Sequence, residues 1–464
     1  MERVMKQCLQ LEIMDGKWLL KMALSLLLPL LIIVFQPIGL LLRQSVVVAG
    51  VLLTIIWWSS GIVKKIPASI FLIAVFCLAG NVGYRTVFSF PLSETFPMIV
   101  ITYLFSQAIS NSGLIERIFQ PALLRFVHTP FQCLIAIVIL FYLTMYVIPQ
   151  PLARLIIVAA MFEQFLRKTT LPEKTREVLM YAVFLMEAVV NMSAKDADMI
   201  MNHVAAGFSE IAISNGMWVK YMLPPTIVCC ALMMGVFMLL FGKEMRGITL
   251  ETVEQEAAGG PLTGRQKAAL GIILATVLLW MTNSVHGINN TLITVVATLL
   301  LFGIGILHRE DLKTIDVTTL IFLTAAFAIG GVMKACGAAD KVFGVLAGIF
   351  PAEFSAVYLL LMVAVSMALH MILGSNTTTL SVVVPGMMIL CGDAVSSPVI
   401  VFAAIISVSF HAILPFHSVS MMIGASNGYF PSRYVTRMGI PATVLVYALA
   451  AGVFLPYWKM IGLL

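Results

Sequence analysis

Leu373-Gly374-Ser375-Asn376-Thr377-Thr378-Thr379 decides how this chain folds. These small and polar residues interrupt the middle of an otherwise apolar segment, 354–391. Unpaired polar groups are costly in hydrocarbon, so they must line a watery cavity or be satisfied by protein. Gly374 and Asn376 permit a tight turn. Each arm of the segment is too short to be a comfortable full span, which takes about 20 residues. A plain polar turn at a membrane surface is therefore disfavoured, and the segment reads as a hairpin that enters and leaves on one side. The oxygens of Ser375 and Asn376 suit a dehydrated sodium ion. The donors of Asn376, Thr377 and Thr378, with the free N–H groups of a helix beginning at Thr377, suit a carboxylate or other oxyanion.

The rest of the chain sets this hairpin in a membrane. Of 464 residues, 61% are hydrophobic and 11% charged. A soluble globular chain carries about 25% charged residues. That excludes a soluble enzyme, a nucleic-acid binder and a disordered scaffold. The long apolar runs read as helices and exclude a β-barrel. The expected class is an all-α polytopic membrane protein with the lipid bilayer as its surroundings. The seven cysteines show no metal-type spacing and read as small core residues. No cleavable signal peptide is evident before the first apolar run.

Spans are expected at 18–36, 45–63, 66–83 and 94–110, with an interfacial amphipathic helix over 114–128. A long apolar segment, 130–167, is broken by Pro149-Gln150-Pro151. Spans follow at 176–214 and 217–241. Residues 242–266 form the one long hydrophilic stretch, a cytoplasmic linker. Beyond it the plan repeats: 267–285, 288–307, 318–334, a short helix over 338–350, the hairpin 354–391, a segment 398–428 broken around Pro415, and 439–460. Ser110-Asn111-Ser112-Gly113 sits in the first half where Lys334-Ala335-Cys336-Gly337 sits in the second. The expected organisation is an N-terminal segment and first span (1–44), a first inverted repeat (45–241) with a re-entrant hairpin at 130–167, the linker, and a second repeat (267–464). Broken apolar segments at matching places in two halves point to a secondary transporter with a midplane site.

The positive-inside rule tests the topology independently. With two hairpins, eleven spans remain. A cytoplasmic N-terminus then puts most of the 28 lysines and arginines inside. Arg43, Arg85, Lys220, Lys334, Lys341 and Lys459 fall outside, and Arg154 and Lys195 at membrane depth. The C-terminus lies outside, and the membrane is the cytoplasmic (inner) one. This bias accounts for the net charge of +6.

The hairpin 354–391 resembles the second Ser-Asn-Thr hairpin of the divalent anion:sodium symporter family, from Gly374 to the downstream Pro385. Phe327 to Lys334 resembles that family's glycine-bearing span before the hairpin. Ala412-Ile413-Leu414-Pro415-Phe416-His417-Ser418 resembles its unwound Leu-Pro-Val-Ala-Thr segment, with Ser418 at the threonine position. The likeness covers nearly the whole chain in layout, but residue-level matching is confined to the second half. It implies a homodimer, an elevator-type exchange of access, and sodium as coupling ion, held here by Ser375, Asn376 and Ser418. No other cofactor and no nucleic-acid partner is expected.

The first half departs from the family's pattern. Its Ser-Asn-Thr tip is replaced by Pro149-Gln150-Pro151, whose prolines keep the helix break but leave only the Gln150 side chain as ligand. In place of the first unwound segment stands Asn191-Met192-Ser193-Ala194-Lys195-Asp196-Ala197-Asp198. Asn191, Ser193 and Asp196 are its candidate contacts. Arg154, three residues after the tip, is a functional candidate because arginine at membrane depth is costly. It either forks onto an anionic substrate or pairs with Asp196 or Glu187. Asp196 and Asp198 either bind a cation or proton or are structural. His417 is a substrate contact or a hydrogen-bonded core residue, as are His370 and His411. Fewer coupled sodium ions than in typical relatives are expected.

The function expected is secondary active transport of small anions, di- or tricarboxylates first, by sodium symport or exchange. The alternatives are a proton-coupled or uncoupled carrier of another anion, and a non-transporting receptor or assembly subunit. No catalytic residue and no enzymatic activity is expected. The chain lacks a nucleophile elbow, zinc spacing and a Walker loop.

Overall fold

The computed structural model describes residues 16–250, 261–282, 286–351, 353–414 and 417–464. The first 15 residues and the middle of the hydrophilic linker lie outside these, as does Pro415. The described residues are mainly helical, without strands. Two compact units form. Each takes chain from both sides of the linker.

The first unit holds residues up to Leu92 together with Thr318–Ile349. Its helices are α1 (Gly16–Phe35), α2 (Leu42–Ser60) and α3 (Lys65–Ala79), with one further helical turn at Tyr84–Val87. They pack with most of α13 (Val317–Ala335) and with α14 (Ala338–Ala347). Helix α1 turns a dense row of leucines outward, including Leu20, Leu24 and Leu28. That is the surface lipid solvates, since tails are as apolar as leucine. Within the unit, Trp58 stacks edge-on against Phe322 with centroids 4.7 Å apart. Gln44 Nε2 donates to the carbonyl of Cys336 at 2.8 Å.

The second unit holds Ser93–Val317 and Phe350–Leu464. In chain order its helices are α4 (Thr95–Ser112), α5 (Leu114–Phe126), α6 (Pro130–Thr144), α7 (Pro151–Arg167), α8 (Glu173–Val190), α9 (Met201–Gly207) and α10 (Asn215–Phe241). After the linker come α11 (Gly264–Met281), α12 (Asn290–Gly303), α15 (Ala356–Leu373), α16 (Asn376–Cys391), α17 (Ser397–Ser409), α18 (Val419–Ser426), α19 (Ser432–Leu449) and α20 (Leu455–Met460). A π-helical stretch, Ala450–Phe454, joins the last two.

Two helices form the centre of this unit. Every residue of α17 is buried, and so is most of α8. Both then lose helical form. After Val190 the chain makes two 3-10 turns, Asn191–Ser193 and Lys195–Ala197, before α9. Helix α17 ends at Ser409, and α18 begins only at Val419. Each break follows a helix hairpin, α6–α7 or α15–α16. A buried break exposes backbone polar groups that the helix no longer satisfies, so side chains must gather there.

Among the described residues, four stretches are long and apolar enough to span a membrane: Trp18–Phe35, Asn215–Glu244, Arg309–Ala335 and Ser432–Met460. Shorter apolar helices include both arms of the second hairpin and α17.

Candidate functional site

The first hairpin starts with a capping box. Thr129 Oγ1 accepts from the Gln132 amide at 3.2 Å, and Gln132 Oε1 accepts from the Thr129 amide at 3.1 Å. Helix α6 stops at Thr144, and Pro151 opens α7. Proline at a first helical position costs nothing, because that N–H has no intrahelical acceptor anyway. Gln150 caps α7 through its side-chain oxygen, which accepts from the Ala153 amide. Its oxygen is thus already engaged with the helix end.

Arg154 is fully buried. One terminal nitrogen, Nη1, donates to the carbonyls of Ile148 at 2.7 Å and Met145 at 3.4 Å. The other, Nη2, donates to the Ala197 carbonyl at 2.7 Å and to Asn191 Oδ1. Glu187 Oε1 lies 3.9 Å from Nη2. It accepts from Asn191 Nδ2 at 2.5 Å. Of the two partners the sequence offered for Arg154, the structure supplies Glu187. The guanidinium joins the first tip to the break after α8, and Asn191 sits between the opposite charges.

The remaining residues of that break serve its shape. Asn202 Nδ2 donates to the carbonyls of Asn191 and Ala194 at 2.8 and 2.9 Å. Trp218 Nε1 donates to the Met192 carbonyl at 2.9 Å. Ser193 donates to the Tyr142 hydroxyl at 3.2 Å, and Lys195 Nζ to the Ile213 carbonyl at 2.9 Å. Asp198 Oδ1 accepts from the amides of Ile200 and Met201, whereas Asp196 Oδ1 meets His203 Nε2 at 2.9 Å. Sequence reasoning did not single out His203, Asn202 or Trp218. Only position seven residues beyond Asp196, on the short α9, hinted at His203.

The second tip is built differently. Helix α15 ends on Gly374, whose φ of 59° is left-handed and favours glycine. Ser375 is the N-cap of α16, which starts at Asn376, one residue before the expected Thr377. Its hydroxyl accepts from the Thr378 amide at 3.5 Å and from the Thr378 hydroxyl at 3.1 Å. Thr379 donates to the Ser375 carbonyl at 2.8 Å. These hydroxyls hold the turn. Asn376 lies beside His370, yet its Oδ1 is sealed from solvent and makes no hydrogen bond of ordinary geometry.

Asn376 borders a cavity of about 20 Å³, together with Ser409, His411, Ser418, Tyr181 and Gly439. Such a volume admits about one water-sized particle. The Ser409 hydroxyl is likewise buried and unpartnered. Ser418 precedes α18 without capping it. Gly439 lets α19 close on the break: a Cβ there would lie 2.3 Å from the Ala412 carbonyl oxygen. His370, His411 and His417 are all buried behind the tip, with the His370 and His411 ring centroids 5.3 Å apart. Ser375, Asn376, Thr377 and Thr378 thus share one tip, with His417 and Ser418 at the facing break. Gln150, Arg154, Asn191, Ser193 and Asp196 gather at the other tip. Ser409 and Gly439 carried no sequence signal, being an ordinary serine and glycine inside apolar runs.

Among the described residues, no cluster of three or more His, Cys, Asp or Glu could hold a metal ion. Apolar helices in number, two helix hairpins, and two central helices broken opposite the hairpin tips define a multi-pass membrane protein of the carrier class. Over residues 16–464 the chain matches the family described as the sodium:sulfate symporter transmembrane region. The chain belongs to this sodium:sulfate symporter family of membrane transporters. A search of curated proteins returned no match.

Proposed function

We propose that the chain is a sodium-coupled carrier of small oxyanions, di- or tricarboxylates ahead of sulfate, and that the sodium ion binds at the second tip. One observation carries this reading. Asn376 and Ser409 border the same cavity of about 20 Å³, and the Asn376 Oδ1, beside His370, and the Ser409 hydroxyl are buried without a hydrogen bond of ordinary geometry. Orphaned buried oxygens are costly unless something completes their coordination. A space of that size suits a small ion such as sodium. Ser418 and the carbonyls of the break are at hand as further ligands. The anion is then assigned to the rim of the cavity, where Asn376 Nδ2 and Thr377 offer donors. Ser375, placed among the ligands by the sequence, supports them by capping α16.

The accompanying topology is eleven spans with both hairpins re-entrant, the N-terminus inside and the C-terminus outside the cytoplasmic membrane. The two halves act as inverted repeats in an elevator-type movement, within a homodimer. The test is uptake into proteoliposomes of labelled sulfate, succinate, malate and citrate, each with and without an inward sodium gradient. Gradient-stimulated uptake of a carboxylate supports the reading. Uptake of sulfate alone corrects the substrate, and equal uptake without sodium removes the coupling.

A further inference from the structure

We infer that the guanidinium of Arg154 is a tethered cation, filling at the first tip the role an exchangeable monovalent cation fills at the second. The two tips are assembled alike: a helix hairpin, then a central buried helix, then a break in that helix. At the second tip, oxygens of hairpin and break are left without partners around a small cavity. At the first, oxygens from the same two kinds of element converge on Arg154. They are the Ile148 and Met145 carbonyls of the hairpin and, from the break, the Ala197 carbonyl and Asn191 Oδ1. All four are neutral ligands such as a dehydrated sodium ion would take. Glu187, 3.9 Å away, balances the charge, and Asn191 holds that carboxylate in place. The only guanidinium nitrogen without a partner is Nε.

The consequence is a division of labour. The first tip and its break are held together in every ionic condition, because their cation is covalently attached. Only the second tip responds to sodium. Arg154 is therefore a positioning residue that sets how many cations the carrier binds, and not a direct ligand of the transported anion. The comparison rests on the sodium reading of the second tip, but the guanidinium site at the first tip stands on its own contacts.

The test is chemical rescue. Purified Arg154→Ala and wild-type proteins are melted in detergent at constant ionic strength, in choline chloride with low-millimolar guanidinium or sodium added. Arg154→Ala is expected to melt below the wild type in choline and to recover, saturably, with guanidinium and with sodium. The wild type gains nothing from guanidinium. A variant as stable as the wild type in choline, or one indifferent to both cations, overturns the inference. A second arm does not need that variant to fold. Asn376→Ala, altered only at the second tip, should lose the response of melting to low-millimolar sodium, because Arg154 still fills the first. A response in Asn376→Ala that saturates at the same sodium concentration as in the wild type also overturns the inference. If proteoliposomes show no sodium-driven uptake while guanidinium still rescues Arg154→Ala, the carrier reading fails and the tethered cation stands.

Discussion

Nδ1 of His370 lies 3.1 Å from Nδ1 of His411. The other ring nitrogen of His370, Nε2, faces the His417 carbonyl at 3.2 Å. A carbonyl only accepts, so Nε2 carries the hydrogen. In a neutral His370 ring, Nδ1 is then the acceptor, and His411 the donor. One imidazole on the first arm of the hairpin thereby ties both ends of the break after α17 to the tip that carries Asn376.

His370→Phe keeps an aromatic ring of similar size and removes both bonds. It leaves the His411 donor and the His417 carbonyl to find other partners in a buried site. An abandoned buried polar group costs about 1–3 kcal/mol. The expected outcome is a lower melting temperature in detergent together with reduced uptake. A variant that melts and transports like the wild type would show that the histidine tie holds nothing.

Asn376→Ala removes the orphaned Oδ1 from the cavity and leaves the capping by Ser375 in place. A lost bond to a charged group is worth about 1.5–3 kcal/mol. The half-saturating sodium concentration should therefore rise roughly ten- to a hundredfold. Ser409→Ala should shift it in the same direction by less, since one of several ligands is lost. The measurement is uptake against sodium concentration at fixed anion. An unchanged curve in well-expressed Asn376→Ala protein removes the ion from this cavity.

Gly439 is needed for space. An added Cβ would meet the Ala412 carbonyl oxygen at 2.3 Å and the Ile413 Cα at 2.7 Å. Both are backbone atoms of the break, so α19 or the break must move. Overpacking of this kind costs about 1–3 kcal/mol. Gly235, on α10, has nothing within 4 Å of such a Cβ, and alanine there raises helix propensity. Gly439→Ala should lower both melting temperature and uptake, and Gly235→Ala neither. Equal behaviour of the two variants would refute the close approach.

The helices were legible in the sequence because apolar runs and their interruptions are local. The hairpin turn at Gly374, the proline break at residues 149–151 and the helix α5 all fall where residue type places them. The site was legible only in part. Glu187 is one of the two acids the sequence offers Arg154 as a partner, but no spacing rule chooses it over Asp196, because it lies on a different helix from Arg154. Asn376 announced itself as an asparagine in an apolar run. Ser409 did not, since the feature that distinguishes it is the missing partner of its hydroxyl. Gly439 is defined by a contact with a segment more than 20 residues away in the chain.

The ends of α10 test the topology. The helix runs Asn215–Phe241, 27 residues, or about 40 Å at the α-helical rise. Lys220 near its start and Arg246 beyond its end are both exposed. Single cysteines at the two positions, in a background without accessible thiols, should react with impermeant maleimide from opposite faces. Arg246 is expected inside and Lys220 outside. Labelling of both from one side would reject the eleven-span arrangement.

Two carboxylates two residues apart have different partners, and that separates their roles. Asp198 accepts from the backbone amides of Ile200 and Met201 at 2.9 and 2.7 Å, at the entrance to α9. Asp196 meets a side chain, His203. A carboxylate that caps backbone amides can be replaced by the asparagine oxygen, which accepts in the same way, whereas alanine leaves the amides bare at a cost of about 0.5–2 kcal/mol. Asp198→Asn should therefore retain uptake and melt near the wild type, while Asp198→Ala loses stability. A residue that carries a transported proton or binds a cation through its charge behaves otherwise, because asparagine cannot ionise. Equal loss of uptake in Asp198→Asn and Asp198→Ala, with the melting of Asp198→Asn intact, would make the charge of Asp198 the functional feature and its capping incidental.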